Sequence, residues 1–154
     1  VSGLLRNKTS LEEARSLGIA DHLQLEQQFL DSNSWNDYDL VVFSLPVDLT
    51  CDKIRLIPDN FSGIMTDLGS TKKEIIRAVE NKFTGNHNYF SSHPMTGSEH
   101  SGAKYASEDL YNGKLCIVTK PRNSSPDSAE KICTFWKSMG SRVLEIPAEE
   151  HDEI

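Results

Sequence analysis

Apolar residues in this chain fall into short runs, separated by polar segments with helical spacing. Asp39-Leu40-Val41-Val42-Phe43-Ser44-Leu45 is continuously β-branched or aromatic and is closed by Pro46. Continuity rather than alternation predicts a strand buried on both faces, as in a parallel sheet. Gly63 to Asp67, Tyr89 to Ser92, Leu115 to Thr119 and Arg142 to Ile146 read as further strands, with Val1 to Leu5 as the tail of another. Ser10 with Glu13 makes a capping box for a helix ending at Gly18, whose Leu11, Ala14 and Leu17 share a face. Thr71 with Glu74 makes a second box, opening a helix that carries Ile75, Ala78 and Val79 toward Gly85. Ser125 precedes Pro126 at the start of a third helix, with Ala129, Ile132, Cys133, Trp136 and Met139 lining its inner face. Val47 to Ile57 is also helical. Gln24 to Asn36 reads as a loop or short helix, and Met95 to Gly113 as a long glycine-containing segment with a helical turn around Ala103 to Ala106.

Strand and helix alternate throughout, which predicts a parallel, doubly wound α/β sheet with right-handed crossovers. A length of 154 residues fits one domain with a real core. The net charge of −7 argues against a nucleic-acid surface. The longest apolar run, Leu40 to Val47, is far too short to span a bilayer. Cys51, Cys116 and Cys133 share no metal-like spacing and sit in apolar segments, which suggests reduced, buried thiols in a cytoplasmic protein.

Two polar clusters follow predicted strands: Thr66-Asp67-Leu68-Gly69-Ser70-Thr71-Lys72 and Ser92-His93-Pro94-Met95-Thr96-Gly97-Ser98-Glu99. In an open parallel sheet ligands bind outside the carboxyl ends of the strands, so these loops would face one site. His93 at such an edge can act as a general base near neutral pH, although a single histidine is as readily satisfied within the fold. Ser70 precedes a capped helix, where its hydroxyl and the free N–H groups behind it point toward a ligand; the alternative reading is that Ser70 or Thr71 serves only as the cap. Lys72 could bind an anion or simply be solvated. His87, His93 and His100 fit no metal-ligand spacing, so no metal site is expected. No Gly-x-Gly-x-x-Gly loop occurs anywhere.

The blocks Asp67-Leu68-Gly69-Ser70-Thr71-Lys72, His93-Pro94-Met95-Thr96-Gly97-Ser98-Glu99-His100-Ser101-Gly102 and Glu149-Glu150-His151-Asp152 together resemble the prephenate and arogenate dehydrogenases of bacterial tyrosine biosynthesis. The resemblance implies a Rossmann-like, mostly parallel α/β domain that lacks the first strand and its glycine loop. It divides the chain into a partial dinucleotide-binding domain over 1–148 and the start of a helical domain over 149–154. This polypeptide is then a fragment, inactive alone, of an enzyme that is a homodimer when complete. The implied activity is oxidative decarboxylation of arogenate, prephenate or both, with hydride transfer to NAD(P).

By the same resemblance His93 and Ser70 are catalytic, Ser70 bonding both the substrate hydroxyl and the histidine, while Ser98 and Glu99 are substrate-binding. Ser44, Leu45 and Pro46 match a segment beside the nicotinamide. In the loop Leu4-Leu5-Arg6-Asn7-Lys8 no carboxylate stands where NAD-type members place an aspartate, and Arg6 follows directly. Arg6 therefore points to NADP, with NAD possible if it only stacks on adenine. Alternatives are another β-hydroxyacid-type NAD(P) dehydrogenase and a non-catalytic ligand-binding domain of the same fold. Fold alone does not separate them.

Overall fold

A computed structural model describes residues 1–97 and 102–153. The chain forms two compact units, one of residues 1–34 with 97–110, the other of residues 35–96 with 111–154.

The first unit is a parallel βαβ turn. Strand β1 (Ser2–Leu5) pairs with β2 (His22–Leu25) through helix α1 (Lys8–Leu17), and α2 (Glu26–Ser32) follows at once. The expected capping box at Ser10 does not form. The helix starts earlier, and the Asn7 side chain accepts the Ser10 backbone N–H at 2.9 Å. An Asn oxygen at this position satisfies one of the helix's orphan donors. Gly18 ends α1 in the left-handed region at φ 62°, as expected of a glycine there. The short helix read between Gln24 and Asn36 is α2, whereas strand β2 was not anticipated: four residues are too few to show an alternation. Residues Ala103–Tyr105 form the anticipated helical turn, a 3-10 turn.

The second unit is a five-stranded sheet in the order β3-β4-β5-β6-β7. Its strands are β3 (Leu40–Phe43), β4 (Ile64–Asp67), β5 (Tyr89–Pro94), β6 (Leu115–Thr119) and β7 (Arg142–Glu145), with helices α3 (Val47–Ile54), α4 (Lys73–Lys82), α5 (Pro126–Ser138) and α6 (Ala148–His151) between and after them. All neighbours are parallel except β5 and β6. A parallel return needs a crossover of a dozen or more residues, usually a helix. Between β5 and β6 the described residues supply only the 3-10 turn, and the chain reverses.

Period-2 alternation divides the sheet's two faces. On one face, Phe90, Cys116 and Val118 pack against Ala129, Ile132, Cys133 and Trp136 of α5. Met139, expected on that inner face, is 37% exposed because it is the cap residue beyond the last helical turn. Val42 is 40% exposed, so β3 is not buried on both faces as its continuous apolar run suggests. It stands last in the strand order, with β4 as its one neighbour in this sheet among the described residues.

Candidate active site at the carboxyl edge of β3, β4 and β5

Strand register builds the site. Phe43, Asp67 and Ser91 lie side by side across three parallel strands. The chain therefore leaves β3 at Ser44 and β4 at Leu68 along one edge, while β5 runs on through His93 and Pro94. Ser44, Leu45, Pro46 and Ser70 are exposed there, and His93 is half-buried. The α3 helix begins at the same edge, and the N–H groups of its first turn have no carbonyl partner within the helix.

Asp67, Tyr89, Ser91 and His93 share the sheet face away from α5. Asp67 and Lys72 are both fully buried, and the Lys72 Nζ donates to Asp67 Oδ2 at 2.7 Å. The same ammonium donates to Ser91 Oγ at 3.0 Å and to the Ser92 carbonyl at 2.7 Å, which uses all three of its protons. Asp67 is equally saturated: Gly69 N–H at 2.9 Å joins the ammonium on Oδ2, and Ser91 O–H at 2.5 Å and Tyr89 O–H at 3.1 Å reach Oδ1. Burial still pulls the Lys72 ammonium below the usual lysine range, with Asp67 opposing, and pushes the Tyr89 phenol well above its own. Gly69 packs tightly at this turn: an added Cβ would meet Ile75 Cδ1 at 2.6 Å and Asp67 Oδ2 at 3.1 Å, so a larger residue would press on the cluster. Lys72 is thus neither solvated nor an anion ligand; it is a buried strut.

A second chain of contacts runs beside the first. His93 Nδ1 lies 2.8 Å from His151 Nε2, and His151 Nδ1 lies 2.8 Å from Asp152 Oδ1. The Asp152 carboxylate also accepts the backbone N–H groups of Lys72 at 2.8 Å and Lys73 at 2.9 Å. Asp152, not Thr71 with Glu74, therefore caps α4, and neither Ser70 nor Thr71 serves as its side-chain cap. Burial opposes ionisation of Asp152, but the Lys73 N–H, His151 and the Lys72 N–H together hold its carboxyl below the usual range. Burial, then the Lys72 ammonium and His151, push the His93 imidazole below the ordinary histidine value, with Asp67 and Asp152 opposing. The result is a neutral imidazole at neutral pH. Among the described residues no hydrogen bond reaches its Nε2, and none joins it to Ser70.

The structure brings His93, Ser70, Ser44, Leu45 and Pro46 to one edge. Ser98 and Glu99 lie outside the described residues. Arg6 belongs to the first unit, exposed directly after β1 and before the Asn7 cap. His87 is a structural histidine: its Nδ1 accepts the Tyr89 N–H at 3.1 Å and its Nε2 faces the Arg122 carbonyl at 2.9 Å. His151 and Asp152 were missed as site residues. The one hint was the Glu149-Glu150-His151-Asp152 block, which carries no spacing that ties it to His93.

Alternating strands and helices, a mostly parallel sheet and polar loops at its carboxyl edge define a Rossmann-like nucleotide-binding domain. The family model described as prephenate dehydrogenase, nucleotide-binding domain, matches residues 1–145. The chain belongs to that family. It is 27% identical over 119 residues to the prephenate dehydrogenase of Bacillus subtilis (strain 168), an alignment covering 74% of this chain and 32% of that protein. The prephenate dehydrogenase of Lactococcus lactis subsp. cremoris is 26% identical over 120 residues, again 32% of its length. Among solved structures, prephenate dehydrogenase from A. aeolicus in complex with hydroxyphenyl propionate and NAD+ superposes with a TM-score of 0.84 at 26% identity, over 98% of this chain and 52% of that one. Synechocystis arogenate dehydrogenase, 18% identical with a TM-score of 0.81 over 99% of this chain and 52% of that one, shares the fold. The chain thus spans about a third of the length of the curated relatives it matches.

Proposed function

We propose that the protein carrying this chain is an NAD(P)-linked dehydrogenase that decarboxylates prephenate, arogenate or both in tyrosine biosynthesis. One observation carries the reading: a half-buried imidazole, kept neutral and braced through Nδ1, stands where the strand β5 reaches the carboxyl edge, one strand away from Ser70.

In this mechanism His93 Nε2 accepts the hydrogen bond of the ring hydroxyl, and Ser70 orients that hydroxyl. Drawing the proton toward Nε2 builds negative charge on the oxygen, which weakens the C–H bond of the same carbon. The C–H pair leaves as hydride, and the ring carboxylate's C–C bond breaks to release carbon dioxide. That bond's electrons enter the ring, which becomes aromatic, and the oxygen keeps its proton as a phenol. A bound nicotinamide supplies the hydride acceptor. The residues present fit its ring side: exposed Ser44, Leu45 and Pro46 open the edge next to β4. Ser98 and Glu99 follow β5 in the sequence and are proposed to contact substrate. Residues 1–148 serve the nucleotide, and 149–154 lead toward a helical part in a cytoplasmic homodimer.

For the cofactor we favour NADP, because Arg6 rather than a carboxylate follows β1. The A. aeolicus relative holds NAD+, so the choice needs its own test. Arg6→Ala in the full-length protein raises the Michaelis constant for NADP far more than for NAD; equal rises would remove Arg6 from phosphate recognition. The activity itself is tested by steady-state oxidation of prephenate and of arogenate, each with NAD and with NADP. At least one pair turns over, and kcat/KM falls only below the ordinary histidine range as the pH drops, since His93 protonates late. No turnover with any pair would end the proposal.

A further inference from the structure

The contacts around His93 fix more than its position. The chain of donors can be read from its far end. Both oxygens of Asp152 receive backbone N–H groups, which can only donate, so the carboxylate acts as an acceptor throughout. The His151 Nδ1 facing Oδ1 at 2.8 Å must then carry a proton. A neutral imidazole protonated on Nδ1 has its lone pair on Nε2. That nitrogen lies 2.8 Å from Nδ1 of His93, so the proton between the rings belongs to His93. The lone pair of His93 is left on Nε2, the nitrogen that no described residue occupies.

Resting on the reading of His93 as the base, we propose that His151 and Asp152 are positioning residues that hold His93 in the Nδ1-protonated tautomer, with its Nε2 lone pair presented to the substrate hydroxyl. Neither residue touches substrate in this scheme. Asp152 is anchored to the first turn of α4, where two backbone N–H groups and the helix dipole hold its charge. His151 is 6% exposed and therefore shielded from competing water. As His93 draws the hydroxyl proton, the charge that builds on its ring is shared through His151 with the Asp152 carboxylate. Besides burial, the groups that set its titration are Lys72 at the start of α4, Asp67 at the end of β4, and His151 and Asp152 from α6 and its cap. The opposite polarity, a His151 imidazolium donating to His93, would put the proton of His93 on Nε2 and disable it as a base.

The test uses the full-length protein labelled with 15N-histidine, with long-range proton–nitrogen spectra recorded from about pH 5 to 9, where imidazoles titrate. The two rings are assigned from His93→Asn and His151→Gln. The expected wild-type spectrum shows both rings protonated on Nδ1 and bare on Nε2. His151→Phe keeps a ring and removes the acceptor: His93 then shifts its proton toward Nε2. Turnover falls about 10²-fold or more, the direction seen when a triad histidine is held in the wrong tautomer, up to about 10⁴. KM changes little. His151→Gln, which returns an acceptor oxygen, keeps the Nδ1 proton and recovers most of the turnover, so a folding defect in the Phe variant cannot imitate the result. A proton on Nε2 of His93 in the wild type, or an unchanged tautomer in His151→Phe, overturns the inference. The two readings fail separately: absent turnover with the tautomers as described sinks the dehydrogenase assignment alone, whereas normal turnover in His151→Phe sinks the positioning role alone.

Discussion

Two polar clusters sit side by side on one face of the five-stranded sheet, and they are built on opposite principles. Around Asp67 and Lys72 every donor and acceptor is matched, and both charges are fully buried. Around His93 the chain of partners runs on one side only, through His151 to Asp152, and leaves one nitrogen open among the described residues. The first cluster has nothing left to offer a ligand. It holds the β4–α4 turn in shape, because a half-satisfied buried charge would be far more costly than a saturated one. The second, in the proposed tautomer, keeps a lone pair on a braced ring that no described residue uses. Saturation fits Lys72 and Asp67 as a strut, and the nitrogen left open among the described residues is what the proposed mechanism asks of His93.

Replacing Lys72 gives the largest effect on stability. Lys72→Met strands the Asp67 carboxylate, and urea unfolding is expected to show a loss of about 3–5 kcal/mol. A loss under about 1 kcal/mol would mean that Asp67 finds another partner or a proton, and the contrast between the clusters would blur. Next comes Tyr89→Phe, which removes one of the two hydroxyls on Asp67 Oδ1 and is expected to cost about 1.5–2 kcal/mol in the same measurement. Asp152→Ala uncaps α4 and costs about 1 kcal/mol. Hydrogen exchange should show the loosening concentrated at Lys72 and Lys73. That capping energy also has a sign with pH: the folded carboxyl lies below the unfolded one, so its contribution is full above the ordinary aspartate range and is lost as the pH falls through the folded value. The smallest effect belongs to His93. Its folded imidazole binds a proton less readily than the unfolded one, so stability declines as the pH drops below about 6.5. In His93→Gln this part of the acid dependence disappears; an unchanged slope would place the titration elsewhere.

How much of this was legible beforehand follows from the range of each interaction. Strands β4 and β5, their shared edge and the placement of Ser70 and His93 came from local patterns and from the quoted motifs. The reversal at β6 was hidden, because apolar runs carry no direction. The cap of α4 was misread because its acceptor is Asp152, 80 residues from Lys72, whereas Thr71 and Glu74 offered a local box. His151 meets His93 across 58 positions, a pairing that no periodicity reports. Lys72 was misjudged since a lysine is rarely buried unless a carboxylate awaits it, and Asp67 reads as an ordinary turn residue. Local rules recovered the frame, and long-range polar pairs escaped them.

The account rests on His93 doing chemistry on a frame that holds without it. Its most direct test is His93→Ala in the full-length protein, with turnover and unfolding free energy measured on the same preparation. The account predicts that kcat falls by about 10³-fold or more, with cofactor affinity intact and stability changed by no more than about 1 kcal/mol. Turnover within about tenfold of the original, or a loss matched by collapse of the fold, would contradict it.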